Sequence, residues 1–286
     1  MQFLTLVGNA FLQKKEQPHF KNFARHWQII FENRLRSYRL AVLSNFPIHF
    51  LCLILLKTKP FNMIYAIPTK KGIGVEIWGT RDDLEYLYEV VSKFWNDEKF
   101  FNVKGYEDKN NLISSFSYEI RKASYGSRLT RNSSHYSFEE IHHLGFKTSW
   151  VHILFSIATL KYNMRMVESN KGEIAMFLHL EYWIERAMES YDPIGAKKLL
   201  PYLDNAIYTG NEYLYLYMRK INATFFEMKG GMNSFRKLAE LMRTSIYSTE
   251  DYKTLLNFLQ SESKKHNCGI EDLELNDDDK IYEIEW

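Results

Sequence analysis

The sequence predicts an α+β fold that is predominantly α, a short N-terminal β-hairpin packed on an irregular multi-helix body. Three observations predict it. Met63–Ile67 and Val75–Trp78 are short β-prone runs, with Lys70-Lys71-Gly72-Ile73-Gly74 between them. From Thr80 onward, apolar residues recur mostly at helical spacing. The chain of 286 residues is 45% hydrophobic and 16% aromatic, enough for a sizeable core and too apolar for a disordered chain.

The elements follow in order. Glycine supplies the positive φ that a chain reversal needs, so residues 70–74 read as the hairpin turn. Gly72-Ile73-Gly74 lacks the third glycine and the following helix of a phosphate-binding loop. Thr80-Arg-Asp-Asp83 has the spacing of a capping box, with acidic residues in the first turn to suit the helix dipole. Leu84, Leu87, Tyr88, Val91, Phe94 and Trp95 then form one stripe, expected to cover the hairpin as core. Residues 96–110 are charged and read as a loop. Leu112–Ala123 is helical and ends near Gly126, a natural cap. Residues 129–138 are rich in Ser, Thr and Asn and read as turn or short strand.

Trp150–Met166 is apolar nearly all round, the pattern of a central buried helix. Gly172–Ser190 is the next helix. Asp192-Pro193 is a restart, an N-cap followed by proline at the first helical position, and Pro201 is expected to bend the helix. A helix from Asn211 ends at Gly230-Gly231. Two shorter ones follow, around Phe235–Ile246 and from Ser248-Thr-Glu-Asp251 to about Lys264. Lengths vary and no fixed-period signature recurs, which argues against a solenoid.

Charge divides the chain at Met63. Residues 1–62 carry nine Lys/Arg and two acidic residues, whereas 63–286 carry 28 basic and 33 acidic residues. Ala41–Leu56 is the longest apolar run, at 16 residues, interrupted by Asn45, Pro47 and His49; a spanning helix needs about 20. Three readings stand for residues 1–62: a membrane anchor, a helical addition to the domain, or upstream sequence read in frame before a start at Met63. The change in acidic content favours the last. The expected organisation is a basic extension over 1–62 outside the natural protein, a single globular domain over 63–270 and an acidic tail over 271–286. The tail has eight Asp/Glu and one Lys and ends in the alternating Ile281-Tyr-Glu-Ile-Glu-Trp286. It reads as solvated, or as a strand that docks on a sheet edge or a partner. The slightly acidic body does not support a generic nucleic-acid surface. Cys52 and Cys268 make no disulfide framework, which suits a cytoplasmic protein.

Catalytic signatures are scarce. Glu139, Glu140, His142 and His143 form two Glu-x-x-His pairs, but only one such cluster exists, and it reads as a solvated turn. No Gly-x-Ser-x-Gly occurs, and Asp277-Asp278-Asp279 lacks the alternation of a calcium loop. No metal site and no cofactor is expected. The polar set that stands out is Tyr118, Arg121, Tyr125, Arg128, Arg131 and His135. Arginines clamp phosphate or carboxylate, tyrosines stack, and a histidine near arginine supports RNA cleavage. Tyr118, Arg121, Tyr125 and Arg128 are therefore the candidate binding residues, and Arg121, Arg128 and His135 the candidate catalytic ones. Six residues separate Arg128 from His135, similar to the Arg-to-His spacing of the higher-eukaryote-and-prokaryote nucleotide-binding RNases. The structural alternative is that Arg121 and Arg128 tie helix ends to acidic neighbours.

Four stretches carry a further resemblance: the hairpin Met63–Trp78 with Gly79, Leu84-Glu-Tyr-Leu-Tyr88, Tyr118-Glu-Ile-Arg121-Lys-Ala-Ser-Tyr125-Gly126, and Leu144-Gly-Phe146 followed by Trp150-Val-His-Ile-Leu-Phe155. Over roughly residues 63–190 the chain resembles an uncharacterised bacterial domain-of-unknown-function family with a Tyr-x-x-Arg-His-Ala-x-x-Gly pattern. Lys122 stands where that pattern has His, which weakens a catalytic role there. The resemblance implies a bacterial, cytosolic protein whose domain begins at Met63, and implies no activity. The leading expectation is a binding or interaction module with a protein partner, in a stress or phage-defence setting. The alternatives are an RNase-like enzyme using Arg128 and His135, and a membrane-tethered accessory protein using residues 41–56.

Overall fold

Val75, Ile77 and Phe146 alternate with outward residues along two strands, and all three are fully buried. That period of two builds the sheet of this protein. The structure, a computed structural model, describes residues 64–95, 102, 104–133, 141–273 and 285–286. All belong to the second of the two units into which the chain divides, Asn62–Trp286. The apolar run 41–56, His135 and most of the acidic tail lie outside the described residues. Among the described residues no helix is long and apolar enough to cross a membrane.

The hairpin of β1 (Tyr65–Pro68) and β2 (Gly74–Gly79) is half of a four-stranded antiparallel sheet. β3 (Leu129–Ser133) and β4 (Ile141–Ser149) complete it in the order β1-β2-β4-β3. One row across the sheet runs Tyr65, Trp78, Gly145, Leu129. A Cβ on Gly145 would lie 2.7 Å from the Trp78 ring, so its bare backbone lets the indole lie across β4. β4 was not anticipated, because Ile-His-His-Leu-Gly-Phe-Lys-Thr-Ser offers only Leu144 and Phe146 as an apolar alternation.

Eight α-helices, among the described residues, accompany the sheet, and the first four pack on it. In α1 (Arg81–Lys93) the capping box is present: Asp83 N–H donates to Thr80 Oγ1 at 3.3 Å and Thr80 N–H to Asp83 Oδ2 at 2.9 Å. Leu84, Leu87, Val91 and Phe94 are buried as the periodicity predicts. α2 (Tyr106–Ser124) begins before Leu112, inside the stretch that reads as a loop. Tertiary contacts hold its charged first turn. Gly105, at φ +71°, lies against the Glu212 backbone, and the Asp108 carboxylate accepts from the amides of Tyr215 and Leu216. α3 (Trp150–Asn163) is the buried central helix; its Trp150 indole donates to Gly72 O at 3.0 Å.

α4 (Lys171–Tyr191) and α5 (Pro193–Asp204) meet at Asp192. The Asp192 carboxylate accepts from Gly195 N–H and twice from Arg236, each at 2.8 Å. α6 (Leu214–Glu227), α7 (Met232–Met242), a 3₁₀ turn at Arg243–Ser245 and α8 (Glu250–His266) follow. The α7 end returns to the hairpin turn, where Gly231 N–H donates to Lys71 O at 2.7 Å and the Tyr191 hydroxyl to the same oxygen at 3.2 Å.

Candidate functional site

β3 is shorter than β4. It pairs with Ile141–Gly145 and leaves Phe146–Ser149 to run on without it. A cleft of about 790 Å³ opens beside that end of β4, lined by Lys147, Thr148 and Ser149. α2 supplies one wall through Ser115, Tyr118 and Glu119, three and four residues apart and so on one helix face. α6 supplies another through Tyr215, Arg219, Asn222 and Phe226, again at helical spacing, and Trp286 joins Phe226 edge to face with centroids 6.4 Å apart.

His152, the third residue of α3, lines the cleft with its Nε2 3.0 Å from Ser115 Oγ; that hydroxyl also donates to Leu112 O at 2.8 Å. Burial pushes the His152 imidazolium down to about 4, against the opposing pull of the Leu112 carbonyl and Glu119, so the ring is neutral at pH 7. Two lining residues carry buried polar atoms with no hydrogen-bond partner among the described residues, Thr148 Oγ1 and Asn222 Oδ1. Thr148 is only 4% exposed. The charged side chains of the lining are three cations, Arg128, Lys147 and Arg219, and one carboxylate, Glu119. Arg128 grips Glu119 through Nε and Nη2 at 2.7 and 2.9 Å, which raises its guanidinium pKa further. Lys147 Nζ lies 3.8 Å from Glu76, and the Arg219 guanidinium lies 5.8 Å from the Tyr215 ring centre.

The residues expected from sequence divide into three groups. Tyr118 and Arg128 line the cleft, and the Tyr118 ring gathers Arg121, Lys122 and Arg128 within 5.4–5.9 Å of its centre. Arg121 therefore joins the rim through Tyr118. Tyr125, 65% exposed at the end of α2, lies outside the lining. Arg131 is on the outer face of the sheet, 5.0 Å from the Trp78 ring centre and hydrogen-bonded to the Tyr65 hydroxyl. His135, Glu139 and Glu140 lie outside the described residues. His142 pairs with Asn132 at 2.7 Å, whereas His143 packs edge-on against Tyr65. Among the described residues no three His, Cys, Asp or Glu group as a metal site.

Sequence reasoning missed Thr148, His152, Arg219, Asn222 and the position of Trp286. None stands out by type or spacing; they become a site only when β4, α3 and α6 converge.

A family model described as a domain of unknown function (DUF6904) matches residues 64–286, and the chain belongs to that family. No curated protein and no solved structure matches the chain.

Proposed function

We propose that this member of the DUF6904 family is a binding module whose ligand is a small anionic molecule held in the cleft between α2, α6 and the end of β4. The observation that carries the reading is the pair of orphaned atoms, Thr148 Oγ1 and Asn222 Oδ1, in a lining with more cations than carboxylates. A buried polar atom without a partner costs about 1–3 kcal/mol, so two in one cleft favour a ligand that satisfies them. With its fork closed on Glu119, Arg128 suits the rim of a binding site better than the catalytic role of the RNase-like alternative. The reading keeps the protein in a reducing, cytoplasmic compartment, which suits the free Cys268.

Thermal unfolding of the full chain against a panel of phosphorylated and carboxylated small molecules tests it. At least one anion raises Tm by about 5 °C or more at a hundredfold excess over Kd, and Arg219→Gln shrinks that response. A flat response across the panel overturns the proposal.

A further inference from the structure

Resting on that reading, we infer that the ligand is a 5′-nucleotide, its phosphate seated where β4 turns into α3 and its base against Phe226 and Trp286. β4 passes into α3 with Ser149 as the N-cap, so the positive end of a 14-residue helix lies at the cleft. Trp150 N–H is taken by Ile73 O at 3.2 Å and His152 N–H by Ser149 Oγ at 3.0 Å. The phosphate is therefore held by the helix field and by side chains. Lys147 supplies a cation, and the Thr148 hydroxyl supplies a donor that has no other partner among the described residues. Arg219 brings a second cation to the cleft.

Asn222 Oδ1 sets the second requirement. It is an acceptor, and neither a phosphomonoester dianion nor a carboxylate has a hydrogen to donate to it. A nucleotide has both halves, an anion for Lys147 and Thr148, and ribose hydroxyls or an exocyclic amine for Asn222. Phe226 and Trp286, set edge to face in the lining, offer aromatic rings against which a base packs. The cleft volume, about 790 Å³, is within the range of small-molecule sites.

Calorimetry on the full chain with the four 5′-mononucleotides, adenosine, inorganic phosphate, citrate and a short single-stranded RNA tests the inference. At least one mononucleotide binds about tenfold or more tighter than both phosphate and adenosine. Thr148→Val weakens the mononucleotide about fivefold or more, leaves adenosine unchanged, and raises the Tm of the ligand-free protein by about 2–4 °C because an unpartnered hydroxyl is removed. Lys147→Gln, on the surface, repeats the affinity loss without that gain in Tm. Trp286→Phe weakens mononucleotide and adenosine alike but spares phosphate. Tighter binding of the RNA than of any mononucleotide supports the same seat with a strand as the source. Mononucleotides no tighter than phosphate, or citrate binding while all four fail, overturn the nucleotide and leave the anion cleft standing. Silence from every anion overturns both.

Discussion

Asp192 and Asp108 each offer a carboxylate to the open amides at the start of a helix, in different parts of the molecule. Asp192 caps α5 from its own chain position, with the Arg236 fork on the same carboxylate. Asp108 reaches across from α2 to cap α6, whose own N-cap residue, Tyr213, makes no side-chain cap bond. The guanidinium holds the Asp192 carboxyl down to about 2. Burial lifts Asp108 to about 7, outweighing the Tyr215 and Leu216 amides and the nearby Lys109 charge. What a carboxylate titrates at is set by what else surrounds it, not by the cap it makes. The helix held by the responsive aspartate is α6, the wall that carries Arg219, Asn222 and Phe226 into the cleft.

The widest test of this contrast is a pH series of urea unfolding. Asp108 has a folded pKa above its unfolded value, so between about pH 4 and pH 7 the folded state binds the extra proton. Relative to an Asp108→Asn variant, the stability of the wild type therefore falls as pH rises through that window, by on the order of 4 kcal/mol in all; the opposite slope from buried His152, held neutral in the fold, is common to both proteins and cancels. A stability difference between the two proteins that does not change from pH 4 to pH 7 breaks the contrast. The buried Lys109 cannot substitute, because burial depresses its pKa and gives a slope of the opposite sign at higher pH.

Second in size is Asp192→Ala, which removes a cap and leaves Arg236 without its partner. It should cost about 2 kcal/mol at pH 7, the upper end for a cap. The wild-type contribution is present above about pH 4 and is lost as pH falls through about 2, so the cost should be constant from pH 5 to 8. A cost below about 1 kcal/mol would mean that the Arg236 fork adds nothing to the cap. The smallest effect belongs to Thr249→Ala on α8, where Thr249 Oγ1 accepts from Tyr252 N–H at 3.1 Å with no ionised partner. That cap should be worth about 1 kcal/mol and show no pH dependence, which sets the baseline for the other two.

The same two aspartates show how far the sequence could be read. Asp192 is legible because its signal is local: Pro193 follows it, and the amide it caps is three residues on. Thr80 and Asp83 are legible for the same reason. Asp108 is not, because the amide it holds is 107 positions away. Its helix start was hidden in a charged stretch that only tertiary contact makes helical. At the cleft, Tyr118 and Arg128 were legible by chemical type. Thr148 and Asn222 were not, since an ordinary threonine and asparagine gain meaning only through burial without a partner. β4 escaped because most of its residues are polar, and a half-polar strand leaves little alternation to find.

The turn between β1 and β2 has a practical consequence. Gly72 sits at φ +66° with the Tyr191 ring where a side chain would be, its carbonyl holds the Trp150 indole, and Lys71 O holds Gly231. A hairpin loop is usually the place to splice in a tag, a reporter or a new chain terminus. Here the loop is the junction that holds three distant stretches of chain, so it is a poor connection to cut.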